Sequence, residues 1–275
     1  MFKREIPGQV VLYIVGFVLA AAIFFPILLM LTTTLKPVKD MFNNQILPSL
    51  GTMSLDSYRN LFASGSFTTA AVNSFLVSAS VTVFGLLFHS MSGFALAKLR
   101  FAGRNVVFGW ILSTLMVPFA VIMLPLFLMA RSMGLSNNLL GMILPAIPQA
   151  YGIFLFRQFL LGIPTEIIES GKIDGASYFR IFFSLVLPLT KSIMVALGMA
   201  IFMGNWNSYL WPLLISQGPE TSVLQLFIAA LKSAYTTDWP TLFAASCIAS
   251  FPPIIIFALI QKNLVASNKY VGVKG

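Results

Sequence analysis

The chain alternates between long apolar stretches and short polar segments. Six windows lack Asp, Glu, Lys and Arg altogether, and each has at least 23 residues: 6–35, 60–97, 105–130, 132–156, 192–219 and 239–261. An α-helix needs about 20 mainly apolar residues to cross the hydrocarbon core of a bilayer. The pattern therefore predicts an all-α membrane protein with six transmembrane helices.

We place the six spans at about Val10–Leu31, Val72–Ala97, Val106–Met129, Leu139–Leu160, Leu185–Asn205 and Thr241–Ile260. The chain then divides into a first helix with its outer loop (1–68), a transmembrane core (69–260) and a C-terminal tail (261–275). Four prolines interrupt spans three and four: Pro118, Pro125, Pro145 and Pro148. They indicate either kinked helices beside a pore or only the ordinary frequency of proline in membrane helices.

One polar segment stands between membrane-length apolar sequences: residues 163–188, IPTEIIESGKIDGASYFRIFFSLVLP. Because it contains five charged residues, it is expected in water and not in hydrocarbon. We predict two short helices, with Pro164 at the first helical position of the first. Asp174-Gly175 supplies the turn, and Asp174 is expected to cap the second helix.

The first of these helices carries two carboxylates beside an apolar side chain. Glu166, Glu169 and Ile173 fall at i, i+3 and i+7, so they share one helix face. This arrangement indicates a docking surface and not a catalytic pair.

Lys and Arg are unevenly distributed between the two sides of the predicted membrane. If both termini are cytoplasmic, twelve of the 17 lie in cytoplasmic segments and five in outer segments. This bias follows the positive-inside rule and predicts cytoplasmic N- and C-termini. Topology and lipid headgroups then account for the net charge of +9, and no basic, aromatic-interleaved segment indicates nucleic-acid binding.

The titratable residues offer little for catalysis. The sequence has one His, His89 in span two, and one Cys, Cys247 in span six. It contains no His/Cys metal cluster, no credible Ser–His–acid set and no phosphate-binding loop. We therefore expect no enzyme activity, no catalytic residue and no metal or cofactor bound by this chain. His89 is interpreted as a packing residue and not as a gate or proton site, because no acidic partner lies in any span.

The polar loop resembles the EAA loop of ABC-transporter permeases. The matching residues are Glu169-Ser170-Gly171, Asp174-Gly175-Ala176 and Leu187-Pro188, with Ser170 and Gly171 in place of the two alanines of the family pattern. The resemblance implies that the loop (161–184) is a coupling segment that contacts an ATPase. The coupling residues that it implies are Glu166, Glu169, Ser170, Gly171, Asp174, Gly175, Ala176 and Arg180.

Further stretches resemble the carbohydrate-uptake branch of these permeases, specifically the maltose-type second subunit. They are 58–61, 73–74, 94–104, 116–135, 156–164, 205–214 and the terminal GVKG, 272–275. The resemblance implies the type I importer permease fold, in a bacterial or archaeal cell (inner) membrane. The implied partners are a homologous permease subunit, two cytoplasmic ATPase subunits that bind ATP and Mg, an extracytoplasmic sugar-binding protein and membrane lipid. Gly272, Val273, Lys274 and Gly275 are expected to contact the ATPase pair.

The same resemblance implies a sugar or oligosaccharide as cargo. The polar candidates for its passage are Asn73, Ser74, Asn205 and Asn207, with Trp206 and Tyr209 able to stack on a sugar ring. Interfacial anchoring and packing are the alternative roles of these six residues.

Two other functions compete with a sugar permease. The first is an ABC permease for another solute class, such as a polyol phosphate, a polyamine or a peptide. The second is a secondary transporter driven by an ion gradient. Such transporters usually show charged residues within the membrane or repeated halves, and the sequence shows neither.

Overall fold

The computed structural model describes residues 6–37, 40, 48, 51–63, 65–232 and 238–267. This part of the chain is built from α-helices. They are α1 Ile6–Thr34, α2 Asp56–Ala63, α3 Ser66–Lys98, α4 Arg104–Thr114, α5 Phe119–Ser132, α6 Leu139–Ile143, α7 Ala150–Leu161, α8 Glu166–Ile173, α9 Tyr178–Ile181, α10 Leu187–Leu189, α11 Lys191–Trp206, α12 Leu210–Ile215, α13 Leu224–Ala230 and α14 Trp239–Ser267. A 3₁₀ turn covers Leu144–Ala146, and a π-helix covers Phe182–Val186.

Four segments are long and apolar enough to cross a membrane without a sharp break: Val10–Thr34, Ser66–Lys98, Leu139–Leu161 and Trp239–Gln261. Two further spans are bent pairs of helices. The α4–α5 pair is bent by 101°, and Tyr178–Leu189 meets α11 at 81°. The all-α, six-span prediction is confirmed when each bent pair is counted as one span.

The third span differs from the single kinked helix that the sequence predicts. Its two halves are separated by residues 115–118, and Pro118 is extended at the N-cap of α5 (φ −61°, ψ 139°). A proline disfavours helical conformation in the residue before it, so α4 ends ahead of Pro118. Pro125 lies inside α5 and does not end that helix.

The chain forms two compact units. The first comprises residues 1–67 and 228–251. Within it, the Thr34 Oγ1 and Tyr58 hydroxyl oxygens lie 2.9 Å apart, which links the end of α1 to α2. Cys247 is buried in the same unit.

The second unit comprises residues 68–227 and 252–275 and contains the main apolar core. Val81, Phe156, Leu160 and Ile181 are fully buried there. Helices α3 and α7 approach closely at Gly93, where an added Cβ would lie 2.6 Å from the Phe156 Cβ. This tight contact positions the polar loop that follows α7.

Candidate functional site

The loop after α7 folds as two short helices joined by a tight turn, as the sequence predicts. Helix α8 ends in a Schellman motif: the amide of Gly175 donates to the Lys172 carbonyl, and that of Ala176 donates to the Gly171 carbonyl, both at 2.9 Å. Gly175 has φ +75°, a left-handed conformation that is costly for residues with a Cβ. Asp174-Gly175 is therefore the turn between the helices.

The helix ends differ in detail from the prediction. Pro164 lies outside α8, whose N-cap is Thr165 and whose first residue is Glu166. The second helix, α9, is capped by Ser177, whose hydroxyl accepts a hydrogen bond from the Arg180 amide at 3.3 Å. Asp174 is the C-cap of α8 and does not cap α9, because two residues still separate it from the Ser177 cap.

Helix α8 has a buried side and an exposed side. Ile168 is buried, and Gly171 packs so tightly that an added Cβ would lie 2.9 Å from Ile181 Cγ1. Ala176 is half-buried. The remaining residues implied in coupling are exposed: Glu166, Glu169, Ser170, Asp174, Gly175 and Arg180.

Large apolar side chains accompany these charges on the exposed side. Ile173 is 87% exposed and Phe179 is 67% exposed. The Lys172 ammonium lies 4.5 Å from the centroid of the Tyr178 ring and so ties α8 to α9. The loop therefore presents a compact surface of carboxylates and exposed apolar groups, which suits docking to another protein.

Two basic side chains hold the base of the loop against the end of α3. Lys98 Nζ donates to the Ile163 carbonyl at 2.5 Å, and Arg157 Nε donates to the Leu96 carbonyl at 3.4 Å. The Arg157 guanidinium also lies 3.9 Å from the centroid of the Phe108 ring. The loop therefore starts from a fixed point on α3 and α7.

The loop leads into span five through an irregular segment. The π-helix Phe182–Val186 and α10 precede Thr190, where the chain bends by 81° into α11. Thr190 is fully buried, and its hydroxyl donates to the Leu187 carbonyl at 2.7 Å. π-Helical turns are rare and often occur at functional sites.

A cavity of about 490 Å³ lies at the other end of α11. Its lining combines amides, hydroxyls, aromatic rings and aliphatic groups: Phe119, Leu126, Pro145, Ala146, Asn205, Asn207, Ser208, Tyr209, Leu210 and Trp211. Of the six residues proposed for the passage, Asn205, Asn207 and Tyr209 line this cavity. Amide and hydroxyl groups can bond sugar hydroxyls, and an aromatic ring can pack on the apolar face of a sugar.

The other three passage candidates do not line this cavity. Asn73 is buried, and its Nδ2 donates to the carbonyls of Glu220 (2.8 Å) and Ser222 (2.9 Å). The buried Ser74 Oγ accepts from the Leu224 amide at 2.7 Å. Trp206 is 3% exposed and stacks on Phe202. Their contacts agree with the packing role and not with contact to cargo.

Asn73 and Ser74 instead fasten the segment 220–224 to α3. Replacing Asn73 by Ala is expected to lower stability by about 1–3 kcal/mol, because two carbonyls lose their donor. The measurement is the thermal midpoint of the purified protein, with Asn207→Ala as the exposed asparagine control. An unchanged midpoint for Asn73→Ala would contradict this role.

Several other lining residues of the cavity are not among the six passage candidates. Trp211 is held by a hydrogen bond from its Nε1 to the Gly141 carbonyl at 3.1 Å, and its ring meets Phe119 edge-on. Proline is the sequence feature that could have indicated these lining residues, because Pro145 lines the cavity and Phe119 directly follows Pro118. This agrees with the interpretation of these prolines as marks of pore-adjacent helices.

His89 is fully buried between α3 and the chain around α7. Its Nε2 accepts a hydrogen bond from the Gln149 amide at 3.0 Å, and Gly152 faces the ring so closely that a Cβ there would overlap it. These contacts favour the packing interpretation of His89. Within the described residues, no group of three or more His, Cys, Asp or Glu is arranged to hold a metal ion.

The tail residues Gly272, Val273, Lys274 and Gly275 lie outside the described residues. Their expected contact with an ATPase stays a prediction.

Apolar spans, an exposed polar loop and a cavity lined by both polar and apolar side chains are features expected of a membrane permease. Residues 85–270 match the family described as binding-protein-dependent transport system inner membrane component. The chain belongs to this family, which is a family of transporter permeases.

Curated relatives match along nearly the whole chain. The arabinooligosaccharides transport system permease protein AraQ of Halalkalibacterium halodurans is 35% identical, over 100% of both chains. The lactose transport system permease protein LacG of Rhizobium radiobacter is 32% identical, over 96% of this chain and 95% of the relative. The sn-glycerol-3-phosphate transport system permease protein UgpE of Salmonella typhi is 32% identical, over 89% and 90%.

The fold also matches a solved structure, that of a bacterial ABC transporter involved in the import of the acidic polysaccharide alginate. The TM-score is 0.84 at 22% identity, covering 95% of this chain and 98% of that chain. The type I importer permease fold that the sequence implied is therefore confirmed.

Proposed function

We propose that this chain is the permease subunit of an ATP-driven importer for a sugar or oligosaccharide. It works with a homologous permease subunit, two ATPase subunits that bind ATP and Mg, and an extracytoplasmic sugar-binding protein. Membership of a binding-protein-dependent transport family supports the ATPase and the binding protein as partners. AraQ and LacG, whose names specify arabinooligosaccharides and lactose, support the cargo class.

The lining of the cavity at the end of α11 is the observation that favours a sugar as cargo. Its lining offers amides, hydroxyls and aromatic rings, and none of the ten lining residues is Lys or Arg. A phosphorylated cargo, as in the name of UgpE, would call for cationic donors, which recognise phosphate most strongly. A neutral sugar therefore fits this lining better than a polyol phosphate.

In the proposed cycle, ATP binding closes the ATPase pair around the exposed face of α8. The loop transmits that closure through the π-helix and Thr190 to α11. The cavity then opens outward and receives the sugar from the binding protein. The loop and both termini are cytoplasmic in this scheme, and an impermeant thiol reagent that labels Ser170→Cys from outside intact cells would overturn it.

The function is tested by a ligand screen on the binding protein that assembles with this chain, followed by uptake of the ligand found. We expect a sugar ligand, and uptake that needs the ATPase and survives dissipation of ion gradients. A non-sugar ligand would contradict the cargo, and uptake that collapses with the ion gradient would contradict ATP coupling.

Glu169 is expected to pair with a basic residue of the ATPase. Glu169→Ala should weaken capture of the ATPase by about 1–3 kcal/mol, the range for a charge-assisted hydrogen bond. The measurement is pull-down of the ATPase subunit together with uptake, at equal membrane abundance. Glu220→Ala, which removes an exposed carboxylate far from the loop in sequence, is the control. Equal capture by both variants would remove Glu169 from the interface.

A further inference from the structure

The turn between α3 and α4 carries two arginines at the same end of the second unit as the coupling loop. At the end of α3, Lys98 is hydrogen-bonded to Ile163 of that loop, and the Leu96 carbonyl is hydrogen-bonded to Arg157. The turn that follows α3 therefore lies beside the base of the loop. Arg100 and Arg104 line an open depression of about 480 Å³, together with Phe101, Gly103, Asn105 and Val106.

These two guanidinium groups lack an ion-pair partner among the described residues. Within the part of the chain that is described, neither has a carboxylate within 4.0 Å. Arg104 Nη1 donates to the Leu99 carbonyl at 3.2 Å, which holds that side chain across the turn. A guanidinium has five N–H donors, so most of those of Arg104 remain for an external anion.

An apolar groove adjoins this basic depression. Its volume is about 180 Å³, and it is lined by Met91, Phe94, Ala95, Leu99, Tyr178, Phe179 and Phe182. Leu99 of the groove and Arg100 of the depression are consecutive residues, with Cα atoms about 3.8 Å apart. The basic depression and the apolar groove are therefore lined by residues that are neighbours in the chain.

The surroundings match the boundary between headgroups and acyl chains. Beyond Arg104, the exposed face of α4 carries Val106 (63% exposed) and Trp110 (74% exposed). Tryptophan is enriched at this boundary, and basic pockets between membrane helices bind anionic headgroups.

We propose that this place is a binding site for one anionic phospholipid. Its phosphate lies against Arg100 and Arg104, and an acyl chain occupies the groove between α3 and the segment 178–182. The groove includes Tyr178 and Phe179 of the coupling loop, so the bound lipid braces that loop against α3. In the orientation proposed above, this lipid lies in the cytoplasmic leaflet of the membrane.

The test uses the assembled importer in nanodiscs of phosphatidylcholine with added phosphatidylglycerol. Native mass spectrometry measures the bound phosphatidylglycerol. The double variant Arg100→Gln/Arg104→Gln should bind it about thirtyfold more weakly, since each basic side chain near an anionic surface contributes about fivefold to sixfold in affinity. Arg100→Lys/Arg104→Lys, which keeps the charge, should retain most of the binding. Arg131→Gln is the control for loss of an exposed arginine elsewhere.

Two further arms separate a lipid from other anions. Ala95→Phe fills the groove without changing charge and should also release phosphatidylglycerol. Inorganic phosphate should not compete; displacement of the lipid by phosphate would show a site for a free anion and overturn the proposal. Equal lipid binding by the Gln and Lys double variants would overturn it as well.

A protein partner is the other occupant that the test must exclude. If Arg100→Gln/Arg104→Gln lost the ATPase in lipid-free detergent, the arginines would serve that interface and the lipid site would be refuted. If the proposal holds, the double variant captures the ATPase normally in detergent. Phosphatidylglycerol should then stimulate uptake by the unaltered importer and not by the double variant. Residual sugar uptake by this variant distinguishes failure of the lipid site from failure of the sugar-import function.

Discussion

Replacing Gly175 by Asp is expected to reduce uptake at least tenfold while the protein still reaches the membrane. Gly175 has φ +75°, and a residue with a Cβ pays about 1–2 kcal/mol to adopt that conformation. No atom lies within 4 Å of the place where its Cβ would be, so the chain itself does not exclude a side chain. The larger effect of Asp is expected from a charge placed without a partner where the loop is proposed to meet the ATPase.

A series at this position separates backbone strain from charge. Asn has nearly the shape of Asp, carries no charge and tolerates the left-handed region, so Gly175→Asn should lose only a few-fold in uptake. Gly175→Ala should fall between the two because it adds strain alone. Uptake, ATPase pull-down and membrane abundance are measured together. Normal uptake by Gly175→Asp at normal abundance would remove the loop from the coupling mechanism.

Removal of both Tyr209 and Asn205 is expected to produce the second large loss. Stacking of an aromatic ring contributes about 0.5–1.5 kcal/mol, and one hydrogen bond contributes a similar amount. The double variant Tyr209→Ala/Asn205→Ala should therefore reduce uptake roughly tenfold to a hundredfold. Both residues line the cavity at the end of α11.

Matched variants make this test specific for the cavity wall. Tyr209→Phe keeps the ring and should retain most uptake. Trp206→Phe changes an aromatic residue that is buried against Phe202 and does not line the cavity, so it should leave the apparent affinity for sugar unchanged. Unchanged uptake kinetics in the double variant would show that this chain does not contact the cargo.

The hydrophobic pattern was sufficient to predict where the chain enters the membrane, because span length follows from bilayer thickness. The same pattern was not sufficient to predict where a span bends. A charge-free window says nothing about a bend, so the 101° break between α4 and α5 appears in the sequence only as Pro118. Likewise, the turn at Gly175 follows from Asp-Gly, whereas the cap at Ser177 depends on where α8 stops.

The passage residues show a different limit. Asn73 bonds to carbonyls 147 and 149 residues away, and Ser74 accepts from an amide 150 residues away. Such pairings depend on how helices are arranged in space, and residue type alone cannot distinguish them from contacts to cargo. Asn205 and Tyr209 are polar residues like Asn73 and Ser74. They line the cavity because α11 ends there.

The bend at Thr190 determines what kind of movement can reach the cavity. Because Tyr178–Leu189 meets α11 at 81°, a push along the first segment has only a small component along the second. Helix α11 would therefore swing about Thr190 and not slide along its own axis. Asn205 lies 15 residues beyond that pivot, roughly 22 Å along the helix. A tilt of a few degrees at Thr190 would thus become a sideways displacement of the cavity wall, and the transporter would open by leverage and not by piston motion.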